Sequence, residues 1–114
     1  MENLNEQENK EKLEEIFKIF SNYNRLKIMN ILAENPNKEV TVNEISEKIK
    51  MTQPATSQHL KILKKSKIVK SNKKGNNVYY EINIETITHK KEYIDSLFQN
   101  LLNPNKKLGV DNND

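Results

Sequence analysis

Cysteine and tryptophan are absent from this chain, and glycine occurs only twice. Without cysteine there are no disulfides, thiolate metal ligands, thiol redox sensors or cysteine nucleophiles. There is no glycine-rich loop to cradle a phosphate. No apolar run approaches the roughly 18 residues of a membrane span. The opening Met1-Glu2-Asn3-Leu4-Asn5-Glu6 is acidic and polar, unlike a secretion signal or transit peptide, so a cytoplasmic protein with no membrane partner is expected. Apolar residues are also scarce, at 34% of 114 residues, where about 45–50% is usual. A chain this short and polar buries a thin core. It predicts one small domain whose hydrophobic surface is completed by a second copy.

Charge of one sign is missing from one stretch. Met51–Lys74 holds seven lysines (Lys61, Lys64, Lys65, Lys67, Lys70, Lys73 and Lys74) and no acid, whereas Met1–Glu15 holds six glutamates and two lysines. The net charge of +3 hides this asymmetry. A basic block without acids is the electrostatic footprint of a phosphate-binding surface, although a solvated lysine face has the same composition.

The periodicity divides the chain into a polar tail, 1–9, a folded domain, 10–102, and a second loose tail, 103–114. Leu13, Ile16, Phe17 and Phe20 recur at helical spacing and predict an amphipathic helix ending near Ser21. A second helix is predicted over 24–34, apolar nearly all round and therefore central. Asn35-Pro36-Asn37 breaks it. Thr41-Val42-Asn43-Glu44 has the form of a capping box and opens a short helix over 43–50, with Ile45 and Ile49 inward. After the turn Met51-Thr52, a further helix is predicted over 53–66. Thr52 caps it, Pro54 lies in its first turn, and Ala55, Leu60 and Leu63 face the core. Residues 68–72 and 78–83 read as strands, joined by a turn at 73–77. A last helix over 85–102 carries Ile87, Ile94, Leu97, Phe98 and Leu101 on one stripe.

Two short helices around a tight turn, followed by a basic hairpin, give a mainly α fold with a small β-hairpin. The order is α-α-α-α-β-β-α, a winged helix-turn-helix. In that arrangement the second helix enters the major groove and its early residues meet base edges. Gln53, Ser57, Lys61 and Lys64 share one helix face, with Gln58 beside it. The face is uncharged at its start and cationic towards its end, which suits base contacts first and phosphate contacts later. Lys73 and Lys74 lie at the tip of the predicted wing. Tyr79 and Tyr80 point to opposite faces of their strand, one to the core and one to the surface. Arg25 is the only arginine, so the bidentate arginine–guanine contact is missing from the reading helix. Glutamine pairs with adenine, and Ser or Thr meets thymine methyls or either base type. An A·T-rich site is therefore expected.

The stretches Asn24-Arg25-Leu26-Lys27-Ile28-Met29-Asn30-Ile31-Leu32, Thr52-Gln53-Pro54-Ala55-Thr56-Ser57-Gln58-His59-Leu60-Lys61-Ile62-Leu63 and Gly75…Val78-Tyr79-Tyr80 together resemble the ArsR/SmtB family of winged-helix repressors. The resemblance spans roughly Leu13 to Leu102. It implies a homodimer built from the first and last helices, bound to a pseudo-palindromic operator on double-stranded DNA. It also implies that Gln53, Ser57, Gln58 and His59 lie at or near the duplex. The full DNA-facing set expected is Thr52, Gln53, Thr56, Ser57, Gln58, His59, Lys61, Lys64, Lys73 and Lys74. The dimer set expected is Leu13, Ile16, Phe17, Phe20, Ile94, Leu97, Phe98 and Leu101. The Tyr79–Asn83 and Leu101–Pro104 stretches are most similar to a PagR-like branch without a metal site.

Many members of that family sense metals. The positions that would supply thiolates hold Thr41 and Asn43. Those that would supply the other ligand set hold Ile84, Thr86, Leu97 and Asn100. None is a strong ligand for zinc, nickel or copper, so no metal and no other cofactor is expected. His59 and His89 each lack ligating partners nearby in sequence. An enzyme is not expected either, with no paired ligand spacing and carboxylates mainly on predicted solvent faces. The competing reading is a winged-helix module that binds protein or RNA. Against it, the helix over 53–66 exposes Gln, Ser and Lys rather than apolar or acidic residues.

Overall fold

The computed structural model describes residues 6–36 and 39–103. It contains α1 (Glu6–Phe20), α2 (Tyr23–Ala33), β1 (Val40–Thr41), α3 (Val42–Ile49), α4 (Gln53–Lys65), β2 (Val69–Lys74), β3 (Asn77–Ile82) and α5 (Ile84–Leu102). The strands form one antiparallel sheet in the order β1-β3-β2.

Local chemistry sets most boundaries. Asn22 caps α2, its side chain accepting from the backbone N–H of Asn24 and Arg25. Thr41 and Glu44 form the capping box at the start of α3, with both reciprocal bonds present. Thr52 caps α4 by accepting from the Ala55 N–H, and Asn83 caps α5 at Thr86. The end of α4 is a Schellman turn. The Ile68 N–H donates to the Leu63 carbonyl and the Lys67 N–H to the Lys64 carbonyl, with Lys67 left-handed at φ 65°. Such turns usually place glycine where Lys67 stands. Gly75, at φ +63°, makes the tight turn between β2 and β3.

One core joins these pieces. Ile28, Leu32, Ile45, Leu60, Leu63 and Ile68 are all at most 2% exposed, and each such side chain contributes about 1.5–3 kcal/mol by leaving water. α2 packs against α1, α3, α4 and β3. It is central as expected, but not buried all round, since Leu26 remains exposed.

Four expectations need correction. The first helix begins at Glu6, so residues 6–9 are helical, and Glu6 and Glu8 favour that start by facing the positive end of the helix dipole. β1 adds a third strand to the expected hairpin: Val40 pairs with Tyr80 and Thr41 with Tyr79. Leu13 and Ile16, expected at a dimer seam, are buried within the protomer where α1 packs on α5. Ile19, absent from the expected stripe, belongs to the core. The tails at 1–5 and 104–114, and Asn37 of the helix breaker, lie outside the described residues.

Candidate nucleic-acid interface

α3 and α4 form the two-helix unit, joined by a turn in which Lys50 is left-handed, at φ 56°. Three of four consecutive turns on one side of α4 anchor it. Thr56, Leu60 and Leu63 are buried, at 0%, 1% and 0% exposure. The adjoining side carries Gln53, Ser57, Gln58, Lys61 and Lys64, all exposed. No ion pair engages Lys61 or Lys64 among the described residues. Their charge is therefore free for an external anion.

Gln53 is held. Its Nε2 donates to the Asn43 Oδ1 on α3 at 2.7 Å. That bond uses one amide hydrogen and leaves the second, with Oε1, unbonded among the described residues on an exposed side chain. Asn43 was not among the expected DNA-facing residues; a bond ten residues apart has no signature in helical spacing.

Thr56 does not belong to the reading face. Its hydroxyl is wholly buried and donates to the Thr52 carbonyl at 2.9 Å, which tightens the first turn of α4. Thr52 itself is exposed, with its oxygen occupied by the Ala55 N–H at 3.2 Å. His59 lies on the far side of the buried face from Ser57 and Lys61 and is half-buried. Its Nδ1 is fully covered and has no hydrogen-bond partner among the described residues. Burial, and then the nearby Arg25 guanidinium, push its pKa below the usual 6.5. Arg25 in turn donates to the Ile19 and Lys18 carbonyls at 2.9 and 3.1 Å, closing the C-terminal end of α1.

The hairpin separates its two tip lysines. In an antiparallel ladder alternate residues face opposite sides. Val69, Ser71 and Lys73 share one side with Ile82, Tyr80 and Val78, while Lys70, Asn72 and Lys74 share the other with Glu81, Tyr79 and Asn77. Val69, Tyr80 and Ile82 pack on the core. Lys73 thus extends from the core side of the wing, exposed and without an ion pair among the described residues. Lys74 is bonded to Glu39, and that bond raises its pKa. The two lysines, expected to act alike, have different surroundings. Tyr80 is the core tyrosine, as one of the pair was expected to be.

Among the described residues no group of three or more His, Cys, Asp or Glu is placed to hold a metal, and no helix is long and apolar enough to cross a membrane.

Comparison with known proteins agrees with this geometry. Residues 22–71 match the family model described as bacterial regulatory protein, arsR family. The chain is 48% identical over 71 residues to the HTH-type transcriptional regulator MJ1325 of Methanocaldococcus jannaschii, covering 61% of this chain and 78% of that one. It is 32% identical over 68 residues to the transcriptional repressor SdpR of Bacillus subtilis, covering 60% of this chain and 72% of the relative. Its fold matches the solution structure of the homodimeric winged helix-turn-helix DNA-binding domain of Mb0332 from Mycobacterium bovis. The TM-score is 0.63 at 21% identity, over 95% of this chain and 99% of that one.

Proposed function

The chain belongs to the arsR family, DNA-binding transcriptional regulators with a winged helix-turn-helix rather than enzymes, and on that premise we propose that it is a cytoplasmic repressor binding an A·T-rich, pseudo-palindromic operator as a homodimer. The observation that carries the reading is the outer face of α4. It is polar and uncharged at Gln53, Ser57 and Gln58, cationic at Lys61 and Lys64, exposed throughout, and anchored along the adjoining side of the helix by Thr56, Leu60 and Leu63.

Gln53 meets adenine through its free amide hydrogen and Oε1; Ser57 and Gln58 contact neighbouring base edges. Lys61, Lys64 and Lys73 neutralise phosphates and set the register. Lys74 has a smaller share, because Glu39 competes for it.

The dimer rests on α5. None of its 19 residues is buried, although Ile94, Leu97, Phe98 and Leu101 share a stripe. Phe98 and Leu101 are 54% and 69% exposed, and Phe17 on α1 is 43% exposed. The radius of gyration, 17.1 Å, exceeds the roughly 13–14 Å of a compact chain of this length. Both facts support a second copy covering α5. Mb0332, described as homodimeric, has the same fold. Repression is supported by the likeness to SdpR, a repressor.

Selection of binding sites from random duplexes tests the reading. The expected product is an A·T-rich inverted repeat with half-sites about one duplex turn, roughly 34 Å, apart. A G·C-rich consensus, or no enrichment, contradicts it.

A further inference from the structure

A cavity of about 420 Å³ opens between α1, α5 and the turn that joins α4 to β2. Its size falls among small-molecule sites, about 300–1,000 Å³, but its lining is unlike their mostly apolar walls. Lys12, Lys65, Lys67 and Lys90 surround it against a single carboxylate, Glu15. Ile16 and Tyr93 add apolar surface, and Thr86 brings a hydroxyl.

Two features single out the cations. The Lys90 side chain is only 13% exposed, yet its one ion-pair partner among the described residues is Glu15 at 4.0 Å. A covered ammonium with so distant a partner retains hydrogens to donate. Lys67 occupies the left-handed position of the Schellman turn, where a lysine costs more than a glycine. The left-handed residue is thus one of the four lysines that line the cavity.

We propose that this cavity binds a small multivalent anion, bearing phosphate or carboxylate groups, between Lys67 and Lys90. The site is distinct from the outer face of α4. On α5, Thr86, Lys90 and Tyr93 lie about a quarter turn round the helix from Ile87, Ile94 and Phe98, and on the same face as Leu97 and Leu101 further along the helix. A bound anion bridges α5 to the end of α4, and so connects the helix assigned to dimer contact with the helix assigned to the duplex. The binding itself does not depend on either assignment.

The test is a titration of the isotope-labelled full chain, followed by amide NMR shifts at constant ionic strength. Pyrophosphate is the probe in one arm and citrate in the other. The expected result is saturable shifts at Lys67, Thr86, Lys90 and Tyr93 with at least one probe, and the arm that saturates identifies the headgroup. Lys90→Met and Lys67→Gly should each weaken binding about tenfold, the loss of one charge-assisted bond. Lys67→Gly also relieves backbone strain, so its loss of binding does not come from a damaged fold. Absence of saturation in both arms overturns the proposal. So do shifts centred on Lys61, Lys64 and Lys73 that persist in both variants.

Discussion

Gln53 is tied to Asn43, so in the proposed complex less side-chain freedom would be lost when it meets a base. Replacing Gln53 with Ala should cost about 1–3 kcal/mol of discrimination at one base pair. Asn43→Ala should blunt the same preference while leaving the bases read elsewhere unchanged; affinities for single-base operator variants measure both. Lys73→Ala should weaken all sequences alike and reduce the log–log salt slope by about 0.9. Lys74→Ala should change that slope less, because Glu39 already holds its amine. His59 gives a pH dependence. Its pKa is lower folded than unfolded, so the unfolded chain binds more protons as pH falls through 6.5. Stability should therefore drop from pH 6.5 downwards until the folded imidazole also protonates, and His59→Gln should flatten that part of the profile in chemical denaturation. At this scale the sequence displayed the polar face of α4 but not its exceptions. Thr56 reads as polar and is buried, because its hydroxyl is satisfied by the Thr52 carbonyl. Two adjacent lysines read as a pair, yet strand alternation parts them.

The elements were legible wherever a cap or a period marked them. The capping box at Thr41–Glu44, the Thr52 cap and the alternation in β3 all carry their signals within a few residues. β1 does not. Two residues have no period, and Val40 and Thr41 become a strand only because Tyr80 and Tyr79 lie beside them. Burial of Leu13 and Ile16 was equally hidden, since a helical stripe tells that a face is covered and not by what. Loss of the cap in Thr41→Ala should destabilise the chain by about 1 kcal/mol, read from the urea midpoint. Lys67→Gly should stabilise it by up to about 1 kcal/mol in the same measurement, because glycine tolerates the left-handed turn.

At the scale of the whole molecule, the small core and a long α5 without a fully buried residue belong together. Nineteen helical residues span about 28 Å, and the protomer buries none of them. The proposed regulator reads two half-sites and so needs its two copies of α4 at a fixed separation, which the proposed α5 seam would supply. Phe98 and Leu101 suit a test better than the half-buried Leu97, because their exposure means that replacing them leaves the protomer's own packing intact. The most direct measurement combines sedimentation with operator binding for the Phe98→Asp, Leu101→Asp double variant. The account predicts a folded monomer with far weaker affinity for the inverted repeat. A variant that remains dimeric, or a monomer that binds the operator as tightly as the parent chain, contradicts it.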